Sequence, residues 1–210
     1  MKYVNELINR YPVLLVCKES IENAIKLMID MYDNNGILYI AGNGGSAADA
    51  DHIVGELMKG FIKKRKMTND FKDKLCHVDN VIGEELYDVL QRGLAAINLN
   101  THNALHTAYA NDVDYTYIYA QMLFGYIRNN DIFFGISTSG NSKNILKAVT
   151  VAKAKGAKTI ALTGKTGGKM KDYFDITIKV PETETYKIQE LHLPIYHAIC
   201  LQLEDYFYEQ

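Results

Sequence analysis

An apolar run, Ile37-Leu38-Tyr39-Ile40-Ala41, stops at Gly42-Asn43-Gly44-Gly45-Ser46 and passes into a helix-forming stretch from Ala47 to Lys59. A β-rich run delivered straight into glycines and then a helix is one half of a βαβ unit, and it restricts the chain to few architectures. Ser46 is placed to cap the first helical turn, and the glycines let backbone N–H groups approach an anion at the helix N-terminus. The spacing is neither G-x-G-x-x-G nor a Walker loop, so no nucleotide cofactor is expected. A tight βα connection holding no ligand is the plain alternative for this loop taken alone.

A second segment repeats the pattern. Asp131 to Ile136 is apolar and ends in Ser137-Thr138-Ser139-Gly140-Asn141-Ser142 before a helix from Lys143 to about Lys155. Four hydroxyls at a helix N-terminus suit a phosphate, whose charge the helix dipole also favours. Further strands are expected at Ala95–Leu99, Thr159–Leu162 and Asp175–Val180, and helices at Ser20–Asp33, Tyr115–Arg128 and Glu184–Tyr206. In the first of these helices Ile21, Ala24, Ile25, Met28 and Met31 recur at helical spacing. The alternation predicts an α/β fold, a doubly wound parallel sheet with helices on both faces and a ligand site at its switch point. Phe61 to about Gly93 is a long charged connection, expected to carry one helix at Glu84–Arg92 and to act as a flap or cover an edge.

At 210 residues and 48% apolar composition, one well-buried domain is expected. The net charge of −2 offers no field for wrapping nucleic acid, and the run Lys63-Lys64-Arg65-Lys66 reads as a solvated helix end, with contact to an anionic group as the alternative. Cys17, Cys76 and Cys200 are too few and too far apart for a disulfide framework, which points to the cytoplasm. The opening residues, with Lys2, Glu6 and Arg10, do not resemble a signal peptide, and no apolar run reaches membrane-spanning length.

His52 and Glu56 are four apart on the helix that follows the glycine loop, so they share a face. An imidazole and a carboxylate so placed can bind one divalent metal, supply a base beside a phosphate-anchored substrate, or form an ordinary solvent-facing pair. In the last helix Gln189 and His197 fall about 80° apart around the axis, close enough to converge on one ligand, whereas His192 points elsewhere and reads as a core histidine. Pro194 removes a helical hydrogen bond between them and can bend the helix. Asn111-Asp112, with Asp114 and Tyr115, reads as a turn and N-cap before a helix, or as a hold on a sugar hydroxyl.

Together these segments resemble the sugar isomerase (SIS) domain of phosphoheptose isomerases. The resemblance rests on Gly42 to Ser46, Asp49-Ala50-Asp51-His52, Glu56, Asn111-Asp112, Gly135 to Ser142, and Ile188-Gln189-Glu190-Leu191-His192 with His197, and it spans nearly the whole chain. It implies one SIS domain over 1–210 with flavodoxin-like strand order, N-terminal helices at 1–35 and an inserted connection at about 61–93. It implies interconversion of sedoheptulose 7-phosphate and D-glycero-D-manno-heptose 7-phosphate, with Glu56 and His197 as the acid/base pair. Substrate would be held by Asn43, Gly44, Gly45, Ser46, Glu56, Asn111, Asp112, Ser137, Thr138, Ser139, Ser142 and Gln189, and zinc by His52, Glu56, Gln189 and His197. A cytoplasmic homotetramer with sites completed across subunits is implied too, with neither nucleic acid nor membrane as a partner. The chain departs from the pattern in its long connection after Glu56, in Gly60-Phe61 where an arginine is usual, and in Tyr186 where an acid is common. A non-catalytic SIS tetramer that binds the replication initiator, or an isomerase or lyase for another sugar phosphate, are the competing expectations.

Overall fold

The computed structural model describes residues 1–208. In chain order the elements are α1 (Lys2–Arg10), α2 (Lys18–Asp33), β1 (Leu38–Ala41), α3 (Gly45–Met58), α4 (Asn69–Val78), α5 (Asn80–Val89), β2 (Ala96–Asn98) and α6 (Asn103–Asp112). They continue as α7 (Ile118–Tyr126), β3 (Ile132–Ser137), α8 (Lys143–Ala154), β4 (Lys158–Thr163), α9 (Met170–Tyr173), β5 (Ile176–Lys179) and α10 (Thr185–Phe207). The five strands form one parallel sheet in the order β2-β1-β3-β4-β5, with Leu38 in register with Ala96 on one side and Ile132 on the other. This is the expected doubly wound α/β fold.

The strands are apolar on both faces because both faces are covered. Leu38, Ile40, Ile132, Phe134, Ile160 and Leu162 point into a core shared with α1, α2, α3 and α10. The alternate residues Tyr39, Ala41, Phe133 and Ala161 point into a second core with α7, α8 and α9. Ile21, Ala24, Ile25, Met28 and Met31 are all buried, as their spacing predicts.

Four local readings change. The helix expected at Tyr115–Arg128 begins as a separate 3-10 turn, Tyr115–Tyr117, before α7. Ser46 does not cap α3: the cap position is Gly44, at φ 57°, and Ser46 is already inside the helix and buried. The connection over 61–93 carries two helices, α4 and α5, in place of one at 84–92, because the polar faces that hid their periodicity remain in solvent. Within it Arg65 is not solvated but has no exposed surface, since its guanidinium meets the Glu204 carboxylate at 2.9 Å and the Glu56 and Leu57 carbonyls at the end of α3.

Candidate active site

The carboxyl ends of β1 and β3, adjacent strands from which the chain leaves to opposite faces, deliver the glycine and serine loops to one place. The two loops are fastened by a reciprocal amide pair: Asn43 Nδ2 donates to Asn144 Oδ1 at 3.1 Å, and Asn144 Nδ2 donates to Asn43 Oδ1 at 2.8 Å. Behind them the Tyr119 hydroxyl donates to the Gly42 carbonyl at 2.7 Å, and Asn100 Nδ2 donates to the same carbonyl at 2.9 Å. Asn144, Tyr119 and Asn100 carry no sequence signal of their own.

In the serine loop, Ser137 and Ser142 bring their hydroxyls to 2.8 Å of one another, while Ser139 Oγ accepts from the Asn141 backbone at 3.2 Å. Ser142 occupies the N-cap of α8 without a side-chain cap bond, so that hydroxyl is not spent on its own helix. Gly140 has φ 64°, and a Cβ there would run into the Gly167 carbonyl, so this loop and the one at Gly164–Lys169 close together only through glycine. Thr138 is half-buried, with its carbonyl accepting from Gly164 N–H at 3.0 Å.

From Gly45, α3 carries His52 and Glu56 along one face, where His52 Nε2 lies 3.3 Å from Glu56 Oε1. Helix α10 runs beside it. The Gln189 amide lies over Gly45, where a Cβ would collide with it, and His197 stands edge-on to His52 with ring centroids 5.0 Å apart. The Gln189 amide thus lies against the start of α3 and His197 beside its middle, about two helical turns further along. Among the described residues no group of three or more His, Cys, Asp or Glu is arranged to hold a metal ion.

His197 Nε2 is buried without a hydrogen-bond partner. Burial, then the neighbouring His52, pushes its pKa down, with Glu56 opposing and Arg10 assisting. A cleft of about 290 Å³ between α1 and α10, walled by Tyr3, Arg10, Tyr11 and Pro194, reaches this imidazole. His52 Nδ1 lies 3.0 Å from the Tyr196 hydroxyl, which lies 3.3 Å from Asp49 Oδ1; neither Tyr196 nor Asp49 was singled out for a role in the sequence. Asn111 and Asp112 do not form a turn and N-cap. They end α6, exposed, with Asn111 Nδ2 bonded to Asp112 Oδ1 at 2.9 Å, and the following turn is capped by Asp114, which accepts from Thr116 N–H at 2.6 Å.

The SIS domain family matches residues 92–206, and a second SIS family matches residues 2–71. A phosphoheptose isomerase of Helicobacter pylori (strain P12) is 37% identical over 90% of this chain and 85% of its own. One from Aneurinibacillus thermoaerophilus is 39% identical over 88% of this chain and 80% of its own. Among solved structures, a phosphoheptose isomerase from Neisseria gonorrhoeae superposes with a TM-score of 0.75 at 30% identity, covering 95% of this chain and 94% of that one. Another, from Francisella tularensis, gives 0.76 at 29% identity over 96% and 94%.

Proposed function

The chain belongs to the phosphoheptose isomerase family of SIS-domain proteins, and on that premise we propose that it interconverts sedoheptulose 7-phosphate and D-glycero-D-manno-heptose 7-phosphate by enediol proton transfer. It is an aldose–ketose sugar-phosphate isomerase. The observation that carries the reading is the grouping of Glu56, His52 and His197 on α3 and α10, with α3 springing from a glycine loop tied by Asn43 to the serine loop.

In this reading the substrate phosphate sits against Ser137, Thr138, Ser139 and Ser142 at the N-terminus of α8, where hydroxyls, free N–H groups and the helix dipole all favour an anion. Asn43, Gly44, Gly45, Ser46, Asn111, Asp112 and Gln189 complete the sugar contacts. Moving a carbonyl between C1 and C2 takes a proton from one carbon and returns it to the other, which is the task of Glu56. His197 moves protons on the oxygens. Its lowered pKa, set first by burial, keeps it neutral at neutral pH and so able to accept as well as donate.

The donor types at His52, Glu56, Gln189 and His197 suit zinc, and the orphaned Nε2 of His197 beside the His52–Glu56 contact supports a metal held there. When bound it would polarise the substrate carbonyl. The proposal extends to a homotetramer with sites completed across subunits. Leu15 and Val16, 61% and 74% exposed on the turn after α1, support burial against another copy. A cytoplasmic location is supported by three free cysteines, and no described helix is long and apolar enough to cross a membrane. We take 1–210 as one SIS domain, including the N-terminal helices at 1–35 and the connection at 61–93, because both apolar cores flank a single sheet. A non-catalytic binding protein would have no use for the grouped carboxylate and imidazoles.

The test is incubation with sedoheptulose 7-phosphate in deuterated solvent, with fructose 6-phosphate as control. Glu56→Gln keeps the size of the side chain but removes the base, so isomerisation is expected to fall by roughly 10²–10⁴-fold while substrate still binds. Exchange of the substrate C–H proton at the wild-type rate in this variant would remove Glu56 as the base, and turnover of the control alone would point to another sugar phosphate.

A further inference from the structure

Behind the Glu56 carboxylate lies a row of polar atoms that runs through His52 to Tyr196 and Asp49. Asp49 Oδ1, the Tyr196 hydroxyl, the two ring nitrogens of His52 and Glu56 Oε1 follow one another at 3.3, 3.0 and 3.3 Å on either side of the imidazole. Tyr196 is 1% exposed and packs its ring edge-on against both His52 and His197, with centroids 5.4 and 5.1 Å away. The other oxygen of Asp49 is buried without a partner.

The row has three contacts, and each needs a hydrogen. A phenol and a neutral imidazole supply two. If Tyr196 donated to His52 Nδ1, the phenol oxygen would face the Asp49 carboxylate lone pair to lone pair, leaving a half-buried carboxylate with no donor on either oxygen. If Tyr196 donates to Asp49, the phenol oxygen is free to accept from His52 Nδ1–H. A carboxylate is the stronger acceptor, and its bond with the phenol is charge-assisted.

We infer that Asp49 and Tyr196 are positioning residues that fix His52 as the Nδ1–H tautomer, so that its Nε2 lone pair faces the Glu56 carboxylate. The inference rests on the reading of His52 and Glu56 as part of the isomerase site and deepens it. The contact left without a hydrogen is then the one between Nε2 and Oε1, and that gap suits a divalent cation or the acidic hydrogen of a substrate hydroxyl. A histidine so held from its far nitrogen is the arrangement that orients metal-binding imidazoles in general.

The test reads the tautomer directly, in metal-free protein without substrate, by long-range 1H–15N correlation on 15N-histidine-labelled protein, with the His52 signals assigned from His52→Gln. Wild type is expected to show Nδ1 protonated and Nε2 bare. Tyr196→Phe keeps the ring and its packing but removes the acceptor, and Asp49→Ala frees the phenol to donate to Nδ1; both should move His52 to the Nε2–H form. A wild-type Nε2–H tautomer, or variants that leave the tautomer unchanged, overturns the inference. Zinc titration of the same proteins should show affinity lowered roughly 10–100-fold in Tyr196→Phe. No zinc binding by the wild type would remove the metal from the proposed function while leaving the tautomer result intact.

Discussion

His192 lies on α10 with no exposed surface and no hydrogen bond to either ring nitrogen, although the Thr163 backbone is close by. Burial pushes its pKa down to about 4 from the ordinary 6.5, with Thr163 opposing. Above pH 6.5 the ring is neutral whether the chain is folded or not, and it adds no pH dependence. As pH falls toward 4 only the unfolded chain takes up the proton, so stability drops, and near the lower end the loss is about 2–3 kcal/mol. His192→Leu removes that loss and two unpartnered nitrogens together. Urea unfolding between neutral pH and the folded pKa should therefore show a smaller acid-induced loss for the variant, by about that amount. Equal losses in the two proteins would mean that His192 is protonated in the fold. Its burial was expected from helical spacing, but its lack of a hydrogen bond was not, because spacing gives the face of a helix and not the atoms opposite.

The pairing of α3 with α10 decides what the site can be. Glycine at position 45 is required by a neighbour rather than by backbone angle, since Gly45 begins a regular helix and the space above it holds the Gln189 amide. Gly45→Ala is tolerable to the helix, which gains propensity at this residue. Its methyl must displace the end of a flexible side chain, which costs little stability but moves Gln189 off the glycine loop. The expected outcome is a melting temperature close to wild type and a kcat/KM lowered by up to about 100-fold, the loss that a shift of about 1 Å in a positioning contact can cause. Full activity would show that Gln189 does not act from this position. A second element-scale finding is the hairpin of α4 and α5, which packs chiefly on itself and leaves Val78 and Val81 86% and 77% exposed.

Across the whole molecule, Glu204 holds three segments at once. Its carboxylate accepts from the N–H groups of Phe61, Ile62 and Lys63 and from Arg65, while Arg65 reaches the carbonyls that end α3 just beyond the Glu56 side chain. Burial alone would raise the Glu204 pKa, but the Ile62 and Phe61 bonds and the Arg65 charge outweigh it and hold the group ionised. Glu204→Gln should destabilise the protein by about 3–5 kcal/mol, because Arg65 is left as a buried charge without its counter-ion. Combining Arg65→Met with Glu204→Leu should not restore wild-type stability, since the backbone donors of 61–63 then lose their acceptor. Chemical denaturation of the single and double variants checks both statements, and a double variant as stable as wild type would reduce the cluster to a simple ion pair. By itself the sequence determined the five strands, the long helices that alternate with them outside 61–112, and the two loops at the carboxyl edge of the sheet, because a β run, a glycine stop and a 3.6-residue period are local signals. Only the tertiary structure decided the partners: Arg65 finds Glu204 across 139 residues, Tyr196 finds Asp49 across 147, and Asn43 finds Asn144 across 101. A basic run reads as solvated until its buried counter-charge is known, and two residues of α10 converge or separate according to how that helix lies against α3, which no periodicity within either helix specifies.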